Sequence, residues 1–248
     1  MQLLVKEDLG LQVYKRAKGQ LLTDCMKASR LEKCRRMRQL SRGKALERVL
    51  FTDEKIFTVE PAWNSQNQQE LLPVGSPRNV RVEKTHFTKS VMVWGGISGL
   101  GKTKLVFVPD GVKINAETYR ELILEGAVIR WAEENAKNVD WQLQQDRAPA
   151  HRAKKTIQWC EANLPGFWGK DVWLSNSPDL NPLVFAVRVI LEQKVCSFKQ
   201  KSIESLKCAL QKAWNEITPE GIEVISKNSR KRLEACIEAE GGHLENQM

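Results

Sequence analysis

The order of the predicted strands and helices is the feature that most constrains how this chain can fold. Three β-rich segments come first, at RVLFTDEKIFTV (48–59), SVMVWGGIS (90–98) and TKLVFVPD (103–110). Gly99 and Gly101 lie between the last two segments and suit a tight reversal of the chain. The three segments therefore predict an antiparallel meander, and the polar stretch at 63–77 predicts a loop after its first strand.

A long helix and further strand–helix units follow the meander. The helix begins at Asn115 and places Tyr119, Leu122, Ile123 and Trp131 on one buried side. The other predicted elements are strands at 140–146 and 171–174 and helices at 22–41, 152–163, 182–195, 202–216 and 219–239. From the first strand to the helix at 182–195 the order is βββαβαβα, which indicates an α/β domain. A right-handed crossover from the meander can then bring the fourth strand beside the first.

Positive charge is concentrated at the start of the chain. The formal net charge is +9, and residues 1–50 contain 13 Lys and Arg against 5 Asp and Glu. Such a segment attracts polyanions, because each cation that neutralises a phosphate releases condensed counterions. Nucleic acid is therefore one predicted partner, while a solvated helix face explains the same charge equally well.

Cysteine usage and hydropathy indicate an intracellular protein. The six cysteines are scattered, include no C-x-x-C pair, and are accompanied by only three histidines, so reduced structural thiols are expected instead of a zinc site. No apolar run is long enough to span a bilayer, and the amino terminus lacks the apolar core of a signal peptide. We therefore expect no membrane partner.

Two aspartates lie where a buried strand would not ordinarily place a charge. Asp53 interrupts the apolar segment at 48–59, and Asp146 ends the strand WQLQQD. If the fourth strand pairs with the first, both carboxylates meet at one sheet edge, which is a metal site in outline. Carboxylates suit Mg²⁺ or Mn²⁺, and two such ions about 4 Å apart support phosphodiester cleavage. A strand-end cap or an ion pair is the alternative explanation for either acid.

Three segments resemble, in order and spacing, the catalytic blocks of mariner-type DNA transposases: FTDEKIF, QQDRAPAH and NSPDLNPLVFAV. The resemblance extends from about residue 1 to residue 240 and includes VMVWGGIS and ALQKAWNEITPE. It implies a ribonuclease-H-like fold, with a mixed five-stranded sheet and helices on both faces. It also implies cut-and-paste DNA transposition with Asp53 and Asp146 as catalytic, metal-binding acids for Mg²⁺ or Mn²⁺. The implied division is a basic helical connector at 1–46, a catalytic domain at 47–240 and a tail at 241–248.

The sequence departs from the family pattern at three positions. Val184 stands where the family has its third acid, and it follows Asp146 by 38 residues. This spacing fits the family branch with 37 residues between the last two acids. Arg147 replaces a usual Gly, and Arg188 replaces a usual Trp. Because valine cannot bind a cation, we expect weak metal binding and impaired catalysis. Asp179 and Glu192 are not convincing substitutes, since one precedes the helix and the other lies about 12 Å further along it.

The resemblance also implies partners and a cellular place. DNA is the expected partner, both transposon ends and target, together with a second copy of the chain in a homodimer and a nuclear location. The paired helix-turn-helix modules that precede the catalytic domain in the family are not represented in this sequence. Phosphate contacts are predicted for Lys15, Arg16, Lys18, Arg35, Arg36, Arg38 and His151. For His151, ordering of Asp146 is an alternative role, and a plain histidine at a helix start without a functional role is another.

Three interpretations of function remain open at this point. The chain is an impaired transposase, a non-enzymatic nucleic-acid-binding protein built on the same scaffold, or a transposon relic without a selected function. The first two differ in whether binding and chemistry depend on a divalent cation.

Overall fold

The structure is a computed structural model that describes residues 21–60, 88–169, 171–174, 177–196 and 199–244. The predicted loop at 63–77 and the predicted phosphate contacts of Lys15, Arg16 and Lys18 lie outside the described residues.

One mixed sheet organises the described part of the chain. Its strands are β1 (Val49–Thr58), β2 (Ser90–Ser98), β3 (Gly101–Lys102), β4 (Val106–Phe107), β5 (Gln142–Gln144) and β6 (Phe167–Trp168). The strand order is β3-β2-β1-β5-β6, with β4 also paired to β2. The meander β1, β2, β3 and β4 is antiparallel, whereas β5 pairs in parallel with β1 and with β6. The predicted crossover that brings the fourth sequence strand beside the first is confirmed.

The sheet has six strands where five were predicted, because β3 lies just before the predicted third strand at 103–110, of which only Val106–Phe107 pairs, as β4. The Thr103 hydroxyl between them accepts a hydrogen bond from the Gly96 N–H at 2.9 Å. The Thr103 N–H in turn donates to the Gly96 carbonyl at 2.9 Å. A side chain thus supplies an acceptor that a continuous ladder would take from the backbone.

The predicted strand at 171–174 is wrong, and the strand at this place in the chain is β6, a few residues earlier. The N–H groups of Val172 and Trp173 both donate to the Gly169 carbonyl, at 3.2 and 2.8 Å, so this segment turns back on itself. Its apolar side chains are nevertheless buried, with Trp173 4% exposed and Leu174 3% exposed. The apolar run therefore reflects burial and not strand pairing.

The helices agree closely with the predicted segments. They are α1 (Asp24–Leu40), α2 (Ala116–Thr118, continuing through the π-helical Tyr119–Ile129 to Arg130–Asn135), α3 (Pro149–Arg152), α4 (Lys154–Asn163), α5 (the π-helical Leu183–Val187, then Arg188–Val195), α6 (Ile203–Asn215) and α7 (Pro219–Glu238), with a short 3-10 turn at Ala45–Arg48. Thr23 caps α1 by accepting a hydrogen bond from the Met26 N–H. None of these helices is long and apolar enough to cross a membrane, within the ranges given above.

Two apolar cores lie on the two faces of the sheet. Val49 and Phe51 of β1 belong to the core formed with α1, α5, α6 and α7, whereas Leu50 belongs to the core formed with α2 and α4. Successive side chains of a strand point to opposite faces, so this alternation places helices on both sides of β1. The predicted α/β architecture with helices on both faces is confirmed.

A buried arginine joins the two ends of the described chain to the loop that precedes α5. The Arg30 side chain is 5% exposed and forms an ion pair of 2.7 Å with Asp179. Its guanidinium also donates to the Gly241 carbonyl and to the Ser177 hydroxyl. Through these contacts α1 holds the loop at 177–181 against the end of α7.

Candidate functional site

A cavity of about 430 Å³ contains all three of the predicted catalytic positions. Asp53, Asp146 and Val184 line it together with Arg147, Trp173 and Asn181. We refer to it as the Asp53–Asp146 cavity. The three positions predicted from the sequence are far apart in the chain, and the fold brings them to one cavity. Their catalytic and metal-binding roles stay predictions.

The register of the sheet brings the two carboxylates to the same level. Leu50 of β1 pairs with Leu143 of β5, and the two strands are parallel. Asp53 and Asp146 each follow their paired leucine by three residues. Two parallel neighbours with the same offset reach the same height along the sheet, which places both acids beside one cavity.

Thr52, immediately before Asp53, connects β1 to the other two segments of the site. Its N–H donates to the Gln144 Oε1 at 3.0 Å, and its hydroxyl donates to the Gln144 carbonyl at 2.8 Å. The Asn181 side-chain amide donates to the Thr52 carbonyl at 3.0 Å. Thr52 is thus bonded to β5 on one side and to the start of α5 on the other.

Asn181 also fixes the first turn of α5, where Val184 lies. The Leu183 N–H donates to the Asn181 Oδ1 at 3.0 Å. The Val184 and Phe185 N–H groups donate to the Asn181 carbonyl at 2.9 and 3.0 Å. Since Asn181 is bonded to Thr52 as well, the backbone at residue 184 is held facing Asp53.

The Asp53 carboxyl lies in an environment that disfavours its ionised form. Burial, together with the negative charges of Glu54 and Asp146, raises its pKa from 3.8 to about 7, although the positive charge of Arg188 opposes them. A carboxyl group of this kind at a cavity wall is typical of a functional site or of what remains of one.

His151 orders Asp146 from behind the cavity. Its Nδ1 lies 2.6 Å from the Asp146 Oδ1, and its Nε2 lies 3.5 Å from the Glu54 Oε1. The Tyr119 ring packs against the imidazole with 4.1 Å between ring centroids. Burial alone would lower the pKa of His151, but the hydrogen bonds and charges of Asp146 and Glu54 outweigh it and raise the pKa to about 9. The imidazole is therefore charged at neutral pH.

The phosphate contact of His151 stays a prediction, and the structure places the imidazole between two carboxylates. The side chain is 3% exposed, and both ring nitrogens face carboxylates. A phosphate would have to displace one of these carboxylates to reach it. The sequence could not show this, because Glu54 and Asp146 approach His151 only in the folded chain.

Asp146 is already engaged by this arrangement. Burial raises its pKa, but the hydrogen bonds from His151 and from the Ala148 N–H outweigh this, so that the pKa is lowered overall. The Ala148 N–H donates to Asp146 Oδ1 at 2.8 Å. Half of the Asp146 side chain remains exposed, which leaves it accessible from the cavity.

Two acids that could replace the absent third carboxylate are paired elsewhere. Asp179 faces Arg30, and Glu192 pairs with Lys55 at 2.8 Å and with Arg188 at 3.2 Å. Across the described ranges, no group of three or more His, Cys, Asp and Glu side chains is arranged to hold a metal ion. Because Val184 occupies the third position and its side chain offers no oxygen ligand, the residues present do not fit a pair of divalent ions.

The predicted phosphate-contacting arginines that the structure describes lie on α1. Arg35 and Arg38 are exposed, and Arg36 is exposed while donating to the Asp171 carbonyl at 3.2 Å. Their contact with nucleic acid stays a prediction.

The sheet order, with two parallel pairs beside an antiparallel meander, one acid on β1 and a second acid just after β5, is that of the ribonuclease-H-like class of α/β domains. No protein-family model and no curated protein matches the sequence. Solved structures of the Mos1 mariner transposase do match. The paired-end complex with the left transposon end has a TM-score of 0.82 at 19% identity, covering 97% of this chain and 70% of that one. The isolated Mos1 catalytic domain has a TM-score of 0.72 at 18% identity, covering 92% of this chain and 100% of that one.

A third match is the Mos1 mariner paired-end complex with Mn, with a TM-score of 0.82 at 20% identity, covering 97% of this chain and 70% of that one. At such identities the similarity shows the fold. The ribonuclease-H-like fold that the sequence resemblance implied is thereby confirmed.

Proposed function

We propose that this chain is a transposase-derived protein that binds nucleic acid and is impaired in metal-dependent DNA cleavage and strand transfer. The observation that supports this most directly is the position of Val184 in the wall of the Asp53–Asp146 cavity. The similarity of the fold to mariner transposase catalytic domains supports the origin, and the matched Mos1 structures include complexes with the left transposon end and with Mn or Mg.

The impairment follows from the ligands that two-metal chemistry requires. A pair of divalent ions activates the attacking oxygen and stabilises the leaving oxygen of a phosphodiester. Hard cations of this kind require carboxylate or other oxygen ligands. Asp53 and Asp146 can supply two carboxylates, whereas the Val184 side chain has no lone pair to offer.

The change in charge at the site also weakens the binding of divalent cations. Relative to the family pattern, Val184 removes a negative charge, and Arg147 and Arg188 each add a positive one. Arg147 lines the Asp53–Asp146 cavity, and Arg188 lines an adjoining cavity that Asp53 also reaches. Three changes that each make the local potential more positive weaken the attraction of divalent cations and favour phosphate groups.

Manganese binding tests the impairment. Free Mn²⁺ would be followed by electron paramagnetic resonance during titration of the wild-type chain and of Val184→Asp. We expect Val184→Asp to bind Mn²⁺ at least tenfold more tightly, which corresponds to about 1.4 kcal/mol. Val189→Asp is the matched control, because it adds the same charge to the same helix at an exposed position that lines neither cavity named above.

Two outcomes would contradict the proposal. One is wild-type binding as tight as that of Val184→Asp, which would show that the third carboxylate is not needed. The other is equal improvement in Val184→Asp and Val189→Asp, which would show a charge effect without a shared site. Addition of Asp53→Asn to Val184→Asp should reverse the gain, because Asp53 lines the same cavity.

A further inference from the structure

A second cavity, of about 370 Å³, lies where the end of α1 meets α7. Three arginines line it, Arg38 and Arg42 from α1 and the turn after it and Arg230 from α7, together with Ser41, Gly43 and Glu234. We call it the Arg38–Arg230 cleft. It shares no lining residue with the Asp53–Asp146 cavity.

Arg230 is held in place by the backbone at the end of α1. Its Nη2 donates to the Ser41 carbonyl at 3.0 Å and to the Gly43 carbonyl at 2.9 Å. Carbonyl groups at a helix C-terminus carry partial negative charge. Because Arg230 neutralises them, the helix end does not repel an anion that enters the cleft.

Arg38 and Arg42 differ from Arg30 and Arg36, whose guanidinium groups are already engaged. Arg30 is buried against Asp179, and Arg36 donates to the Asp171 carbonyl. Arg38 and Arg42 are exposed, and within the described ranges neither side chain forms a hydrogen bond or an ion pair. Both line the cleft, Arg38 from the last turn of α1 and Arg42 from the turn that follows it.

The cleft therefore has an excess of positive charge without an internal partner. Three guanidinium groups face one carboxylate, that of Glu234. Guanidinium groups bind phosphate oxygens with two parallel hydrogen bonds, which makes phosphate the ligand that suits this arrangement best. The volume lies within the range of pockets that bind small ligands.

We propose that the Arg38–Arg230 cleft binds phosphate groups of a nucleic-acid backbone. The inference rests on the proposed function, since it supplies a specific contact for the nucleic acid that the chain is proposed to bind. Arg38 and Arg42 contact the phosphates, and Arg230 positions the turn that presents Arg42. Such contacts provide affinity and orientation without reading the base sequence.

The test is fluorescence anisotropy with labelled duplex DNA of unrelated sequences, measured over a range of salt concentrations in the presence of EDTA. Arg38→Gln/Arg42→Gln removes both free guanidinium groups at exposed positions, and Arg38→Lys/Arg42→Lys retains their charge. Arg130→Gln/Lys137→Gln is the matched control, because it removes two exposed positive charges at the end of α2, which packs on the other face of the sheet.

We expect the slope of log affinity against log salt to fall by about two in the glutamine variant, since each lost phosphate contact lowers it by roughly 0.9. Binding at 0.1 M salt should weaken by at least tenfold on every sequence. The lysine variant should retain the slope, and the α2 control should change neither slope nor affinity to this extent.

The outcomes separate the cleft from the proposed function. DNA binding by the wild type with equal losses in the glutamine variant and the α2 control would overturn the cleft and leave the proposed function standing. Absence of any DNA binding by the wild type would overturn both. Arginine-dependent binding of inorganic phosphate or of anionic lipid vesicles, without arginine-dependent binding of DNA, would overturn the assignment to nucleic acid.

Discussion

Replacement of Arg30 by methionine tests whether a single buried cation holds the loop before α5 in place. The Arg30 side chain is 5% exposed, and the Asp179 side chain with which it pairs is 18% exposed. Nη1 and Nη2 donate to the two oxygens of Asp179 at 3.2 and 2.7 Å, and Nε donates to the Gly241 carbonyl at 2.9 Å. Methionine has a similar length and keeps the apolar stem but none of the donors.

The expected loss of stability follows from these contacts. Removing one partner of a buried ion pair costs about 3–5 kcal/mol, because the other charge remains desolvated without a counter-ion. Asp179→Asn in the same chain should restore part of this loss, since the remaining group would be neutral. The two substitutions should therefore be non-additive by about 0.5–3 kcal/mol.

Urea unfolding followed by tryptophan fluorescence measures these values. Arg35→Met is the control, since it makes the same replacement at an exposed position of α1, and surface changes of this kind usually stay within about 0.5 kcal/mol. The loss in Arg30→Met should persist at high salt, because a buried pair is little screened. Equal losses in Arg30→Met and Arg35→Met would refute the reasoning.

Two further predictions concern pH and are measured by urea unfolding in metal-free buffer. The pKa of Asp53 is raised from 3.8 to about 7 in the folded state, so the free energy of unfolding falls as pH rises between these two values. Asp53→Asn should therefore be more stable than wild type by about 4 kcal/mol at pH 8 and about 2 kcal/mol at pH 5. Asp140→Asn, at an exposed position, should show no such pH-dependent gain, and a gain that is the same at both pH values would contradict the assignment. His151 has its pKa raised to about 9 from 6.5, so its stabilising contribution is complete below pH 6.5 and lost as pH rises to about 9. His151→Gln should therefore lose about 3 kcal/mol more at pH 6 than at pH 10, and equal losses at both pH values would show that the imidazole charge does not matter.

Much of the architecture could be predicted because local signals and the fold agree. Thr23 caps α1, and Asn115 begins α2 by accepting hydrogen bonds from the Glu117 and Thr118 N–H groups. The meander and the crossover follow from element order and handedness alone. Placement of Asp53 beside Asp146 required only that β5 pair in parallel with β1, which it does.

What could not be predicted depends on contacts between distant segments. Val172, Trp173 and Leu174 have the composition of a strand, yet they are buried through a turn. Arg30 belongs to a run of basic residues that suggests a solvated face, and nothing local distinguishes it from exposed Arg35. The pairing of His151 with Glu54 joins residues almost a hundred positions apart.

Asn181 determines where α5 begins, and it does so entirely through its own side chain and carbonyl. The side chain of residue 184 takes no part in these hydrogen bonds. Its chemistry can therefore change without disturbing how the start of α5 folds. Selection for an intact, abundant protein would not detect the exchange of an acid for valine there. The scaffold is therefore indifferent to whether residue 184 carries an acid or valine, and it offers a prepared place at which one substitution would supply a carboxylate.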